Sequence, residues 1–157
     1  MIKLKEGDVI AFKRGDRYYY AVVITPIIMF GGNLVYAFHM TTDDLISLAE
    51  LLKRQTSGFN AVVDFILAKR EKRIIKLGSI KNPQQFRKTQ YFKRQTPNKK
   101  FWFIEELKDK TTYEIKRTEK LNEEEVHYPY LSTIPTDWLA DYIDKKWSPE
   151  QSDYVNL

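Results

Sequence analysis

Apolar, β-branched and aromatic residues come in two early runs, Val9-Ile10-Ala11-Phe12 and Tyr18-Tyr19-Tyr20-Ala21-Val22-Val23-Ile24-Thr25. Between them lies the polar stretch Lys13-Arg14-Gly15-Asp16-Arg17. Two such runs around a glycine predict a β-hairpin over residues 8–25 with a loop of about three to five residues, launched by a turn at Gly7-Asp8. The second run is apolar at nearly every position, which predicts a central strand covered on both faces. Pro26 is expected to stop it, and Gly31-Gly32-Asn33 to form a flexible turn before a third strand, Leu34–His39. Thr41 or Thr42 then caps a helix from Thr42 to Arg54, with Asp43 and Asp44 in its positively polarised first turn. Leu45, Leu48, Ala49 and Leu52 recur at helical spacing and predict its buried stripe, and Gly58 closes the unit.

The pattern weakens from here. Phe59–Leu67 fits either period, and its Val-Val-Asp-Phe-Ile content favours a strand, paired with Ile74–Leu77 across the charged loop 69–73. Gly78 and Pro83 break the chain, and 86–94 shows little periodicity. Beyond the turn at Pro97-Asn98, Phe101–Ile104 is expected to pair with Thr111–Arg117, where Tyr113 and Ile115 alternate with polar residues. Glu119–Glu125 reads as an acidic loop, and Pro129 and Pro135 bracket an extended segment. A last helix is expected from its cap at Thr136 to about Trp147, with Trp138, Leu139, Tyr142 and Ile143 on its apolar face. The reading is one α+β domain over residues 1–150 with a frayed tail at 151–157. Its sheet is mostly antiparallel and curved, open to an SH3-like barrel core, with one helix after the third strand and one near the C-terminus.

Composition adds a sharper feature than the net charge of +5 suggests. Residues 1–68 are neutral, residues 69–100 carry twelve Lys/Arg against the one acid Glu71 (+11), and residues 101–157 carry a net −6. A block that basic creates a positive field if it folds onto one face. With 43% apolar and 14% aromatic residues the chain can build a core, and it holds no cysteine for disulfides, thiolate metal sites or nucleophiles. No segment reaches the roughly 20 apolar residues of a membrane span, and the opening residues lack a secretory pattern. A cytoplasmic protein with no membrane association is expected.

Catalytic signals are sparse. His39 ends an apolar strand and reads as structural; His127 sits beside Tyr128 and Pro129 with nothing near in sequence to activate it. Two such histidines make no metal motif, and Gly31-Gly32 lacks the Lys-Ser/Thr that follows in a phosphate loop. The expectation is a non-catalytic chain needing no cofactor and no metal. The basic block is richer: Arg87, Lys88, Lys93 and Arg94 interleave with Tyr91 and Trp102, a grouping suited to nucleic acid or to an acidic protein surface. Glu123, Glu124 and Glu125 form the alternative contact face, for a basic partner.

Gly7-Asp8-Val9-Ile10, the Tyr-rich second strand Arg17-Tyr18-Tyr19-Tyr20-Ala21 and the later Arg73-Ile74-Ile75-Lys76-Leu77-Gly78 together resemble the bacterial immunity proteins of polymorphic toxin systems, the family numbered twenty-six. The resemblance covers roughly residues 5–80. It implies an α+β protein that inactivates a cognate toxin by stoichiometric contact, the toxin being encoded next to it. A second likeness, through Gly7-Asp8-Val9-Ile10 and Val22-Val23-Ile24-Thr25, is to toxin endoribonucleases with an SH3-like barrel. That family carries an Arg-Pro pair where this chain has Tyr19-Tyr20. The expected function is therefore toxin neutralisation, with a nucleic-acid-binding module or such a ribonuclease as the alternatives.

Overall fold

Strand β1 (Asp8–Arg14) and strand β2 (Arg17–Ile27) form the hairpin, and Arg14 pairs with Arg17. The loop is thus two residues, shorter than expected, because Gly15 supplies the positive φ of 59° that a tight loop with glycine first requires. A computed structural model of the chain describes residues 2–27, 31–54 and 56–149. The sequence's tail at 151–157 lies outside the described residues.

Six strands make one sheet in the order β5-β1-β2-β3-β4-β9, with β3 spanning Gly32–Thr42, β4 Gly58–Asp64, β5 Ile74–Ser79 and β9 Thr133–Pro135. All pairs are antiparallel except β4 with β9. A second sheet holds β6 (Tyr91–Gln95), β7 (Trp102–Lys108) and β8 (Thr111–Thr118) in that order. The protein is α+β, as the sequence pattern indicates. The large sheet ends at β5 and β9, so among the described residues it is an open sheet and not a closed barrel.

Strand β2 is buried continuously from Tyr19 to Thr25, as its unbroken apolar run predicts. Its side chains alternate between two cores. Tyr19 and Ala21 face a cluster closed by helix α3 (Thr136–Asp144) through Leu139, Ala140, Tyr142 and Ile143. Tyr20, Val22 and Ile24 face a second cluster closed by Phe92 and Leu107 of the small sheet and Leu51 of helix α1 (Leu48–Lys53). Three layers result. Where β3 and β4 cross, only glycine fits at position 58, because a Cβ there would lie 2.3 Å from the Ala37 carbonyl oxygen.

Several expectations give way to tertiary pairing. Pro26 does not stop β2, since it pairs opposite Asn33 and the strand runs on to Ile27; Gly32 and Asn33 belong to β3 rather than to a turn. The first helix is six residues and not thirteen. Strand β3 persists to Thr42 because Thr41 and Thr42 pair with Tyr19 and Tyr18, and the Tyr20 hydroxyl accepts from the Ile46 N–H. Ser47 caps the helix, accepting from the Glu50 N–H at 3.2 Å. Its buried residue is Leu51, whereas Leu45 and Leu52 are exposed at about 40%.

Strand β4 stops at Asp64, and Ile66–Arg70 form the short helix α2 in place of the expected strand end and loop. Strand β5 pairs with β1 and not with β4, because β3 and β9 already occupy both edges of β4. Pairing of β7 with β8 is as expected. Helix α3 starts at Thr136, making Thr136 its first residue and not its cap. It ends at Asp144, after which Lys146 at φ 51° turns the chain so that Trp147 returns to the core. Trp138, assigned to the apolar face, is half exposed instead. No helix of the described residues is long and apolar enough to cross a membrane.

Candidate binding surface

Of the residues nominated from the basic, aromatic block, Lys93 is buried, Arg87, Tyr91, Arg94 and Trp102 are partly buried, and Lys88 is exposed. Lys93 is 2% exposed. Its ammonium donates to the Val126 carbonyl at 2.5 Å and to the Pro149 carbonyl, and lies 4.6 Å above the Tyr130 ring. It is a tie between the small sheet and the C-terminal segment. Trp102 packs against Tyr130, and Tyr91 stacks on Tyr128 at 5.5 Å. Lys88 donates from its ammonium to the Gly58 carbonyl at 3.0 Å, and its backbone N–H donates to Asn60 Oδ1 at 2.9 Å. Arg87 is half-buried, donating to the Thr89 carbonyl at 3.2 Å and to Gln84 Oε1 at 3.3 Å; burial lowers its pKa.

The acidic face divides in the same way. Glu125 is buried, and both its oxygens accept from the Lys116 ammonium at 2.8–2.9 Å. One of them also accepts the Asn122 N–H at 3.1 Å. Buried and charge-paired, Glu125 holds its loop to β8 and offers no carboxylate to a partner. Glu123 and Glu124 are exposed.

A group of partly exposed cations and rings comes together on the small sheet. Register places Arg94, Phe103 and Arg117 opposite one another across β6, β7 and β8, and so on one face. The Arg94 guanidinium lies 4.5 Å over the Phe103 ring, and its Nε donates to Glu105 Oε2 at 2.8 Å. Glu105 is itself buried and accepts from the Thr112 hydroxyl at 3.2 Å, so Arg94 is firmly anchored. Arg117 lies 4.0 Å from the Phe101 ring centre and 5.8 Å from that of Phe103. Among the described residues its guanidinium pairs with no carboxylate. A guanidinium resting on a ring keeps its in-plane N–H donors for another group, and the ring reduces the rotamer freedom lost on binding. Beside this row, the register slip between Ile104 and Glu105 leaves Ile115 as an extra residue in β8. Ile115 and Tyr113 are each more than half exposed.

Three further polar side chains make contacts within the chain. His39 Nε2 donates to the Trp147 carbonyl at 2.6 Å, and its Nδ1 lies 3.1 Å from the Ser57 hydroxyl. Arg14 donates to the Asp137 carbonyl at 2.9 Å and pairs with the Asp141 carboxylate, clamping the hairpin to α3. Arg17 lies 3.8 Å from Asp43. Sequence reasoning nominated Arg94 but missed Phe103 and Arg117. The spacing of Phe101 and Phe103 by two, with Arg117 on a neighbouring strand, is the signal that would have found them once register is known. No family model, curated protein or solved structure matches the chain.

Proposed function

We propose that the chain is a stoichiometric binding protein of the immunity kind, which neutralises a cognate toxin by protein–protein contact through the face of its small sheet. One observation carries this reading: Arg117 rests on Phe101 and Phe103 without an ion pair among the described residues, beside an anchored Arg94. Arginine and large aromatics dominate interface energetics, and a pre-positioned pair of this kind binds with little side-chain ordering left to do. The contact suits a carboxylate on an acidic partner surface, with steering from the basic block. The motif resemblance over residues 5–80 supports the toxin as that partner. Nominated residues Lys93, Trp102 and Glu125 hold the face in place, whereas Arg94 takes part in the contact.

The test is co-expression of the chain with the toxin gene beside its own. Wild type should protect the cell, and Arg117→Ala or Phe103→Ala should weaken complex formation by about 30-fold, the level of a 2 kcal/mol hot spot. If the neighbouring gene is no toxin and co-expression protects against nothing, the reading fails. One observation favours a second reading, a single-stranded nucleic-acid module. Phe101 and Phe103 offer half-exposed rings flanked by guanidinium groups, as base-stacking surfaces do. That module would retain RNA or DNA with an affinity falling steeply as salt rises.

A further inference from the structure

A second concentration of charge lies away from the small sheet, where α2 turns into β5. The turn is tightly fixed: the Glu71 N–H donates to the Leu67 carbonyl at 2.9 Å, Lys72 to Lys69 at 3.1 Å and Arg73 to Ala68 at 2.9 Å. Lys72 sits at φ 57°, in the left-handed region. The four cations here meet different fates. Arg73 is neutralised, pairing with Glu71 at 2.5 Å and with Asp137 at 3.1 Å. That uses the one acid of the +11 block. Lys69, Arg70 and Lys72 have no ion pair among the described residues. All three line a cavity of about 460 Å³, whose apolar wall is Ile2 and Ile74.

Basic residues at the end of a helix ordinarily complement its dipole, which accounts for Lys69 and Arg70. Lys72 lies past the helix end, so the dipole does not account for it. Three like charges around one space repel each other, and an anion bound among them relieves that repulsion. The volume falls within the range of small-molecule sites, roughly 300–1,000 Å³, which combine apolar walls with a few placed polar groups. We infer that this cavity binds a phosphorylated small molecule of nucleotide size, its phosphates among Lys69, Arg70 and Lys72 and its body against Ile2 and Ile74. Phosphate suits such a group of cations, since its oxygens accept charge-assisted hydrogen bonds from Arg and Lys in several directions at once.

ATP and pyrophosphate are the probes, read by isothermal titration and by thermal unfolding against chloride of equal ionic strength. ATP should bind and raise the midpoint, and pyrophosphate should bind more weakly because it lacks a body. Arg70→Gln and Lys72→Gly, the latter suited to the left-handed backbone, should each weaken ATP about tenfold, as loss of one charge-assisted contact does. Arg117→Ala should leave ATP binding unchanged, which separates this site from the small-sheet face. Absence of ATP and pyrophosphate binding at millimolar concentration would overturn the inference. So would binding indifferent to both cavity variants, or retention of single-stranded oligonucleotide alone.

Discussion

Replacing Trp147 with alanine should destabilise the protein severely, while the same change at Trp138 should pass almost unnoticed. Trp147 is fully buried, with its ring 5.3 Å from Phe59, 6.0 Å from Tyr130 and 5.2 Å from Tyr142. Truncating a buried tryptophan costs about 3–5 kcal/mol in lost transfer energy and cavity, and each aromatic pair contributes about 0.5–1.5 kcal/mol beyond area. Three ring partners place Trp147→Ala at the upper end, about 4–5 kcal/mol. That is a large share of the roughly 5–15 kcal/mol by which a domain is stable. Trp138 is 50% exposed on the first turn of α3, so Trp138→Ala should cost no more than about 1 kcal/mol. Urea titration followed by far-ultraviolet circular dichroism measures both, and a loss of 4–5 kcal/mol should lower the thermal midpoint by at least about 8 °C. Equal losses at the two positions, or less than about 1 kcal/mol at Trp147, would refute the packing argument.

This pair also shows what the sequence could convey. Strand β2 was legible because an unbroken apolar run has one structural meaning, burial on both faces. The partner of Ile74–Leu77 was not, because pairing depends on which edges other strands have taken, and β9 lies some seventy residues downstream of β4. Helical period nominated Trp138 through its spacing from Tyr142, yet Trp147 enters the core from beyond the helix, through a turn that no periodicity encodes. The burial of the basic block was not legible for a related reason. Both faces of β6 are covered at Phe92 and Lys93, and only at Arg94, on the Phe92 face, is a cation of this strand left partly exposed. Much of the +11 charge is therefore divided among intramolecular ties at Lys88, Lys93 and Arg73, the stack of Arg94 on Phe103, and the cavity of Lys69, Arg70 and Lys72.

Two more perturbations probe the same physical account. Leu51→Ala should cost about 2–5 kcal/mol in denaturant titration, the range for a buried leucine, because Leu51 is the buried residue of α1. Leu52→Ala, on the exposed side, should cost less than about 1 kcal/mol, and reversal of that order would mean that α1 presents its other face to the core. The last perturbation is of pH. Asp8 is buried at the start of β1, and burial alone would raise its pKa. Its hydrogen bonds outweigh this: the Lys76 ammonium lies 2.9 Å away, the Lys5 N–H donates at 2.7 Å and the Ser79 hydroxyl at 2.9 Å. The carboxyl is thereby held below its ordinary value. A carboxyl lowered in the folded state binds its proton more readily when the chain unfolds, so its stabilisation is complete above the unfolded value of about 3.9. That stabilisation is lost as pH falls below this value and through the folded-state pKa. Asp8→Asn should therefore be less stable than wild type at pH 7, and the gap between their urea midpoints should close below about pH 4. A gap that widens on acidification would show that Asp8 stabilises the fold in its protonated form, and that the Lys76 pair contributes nothing.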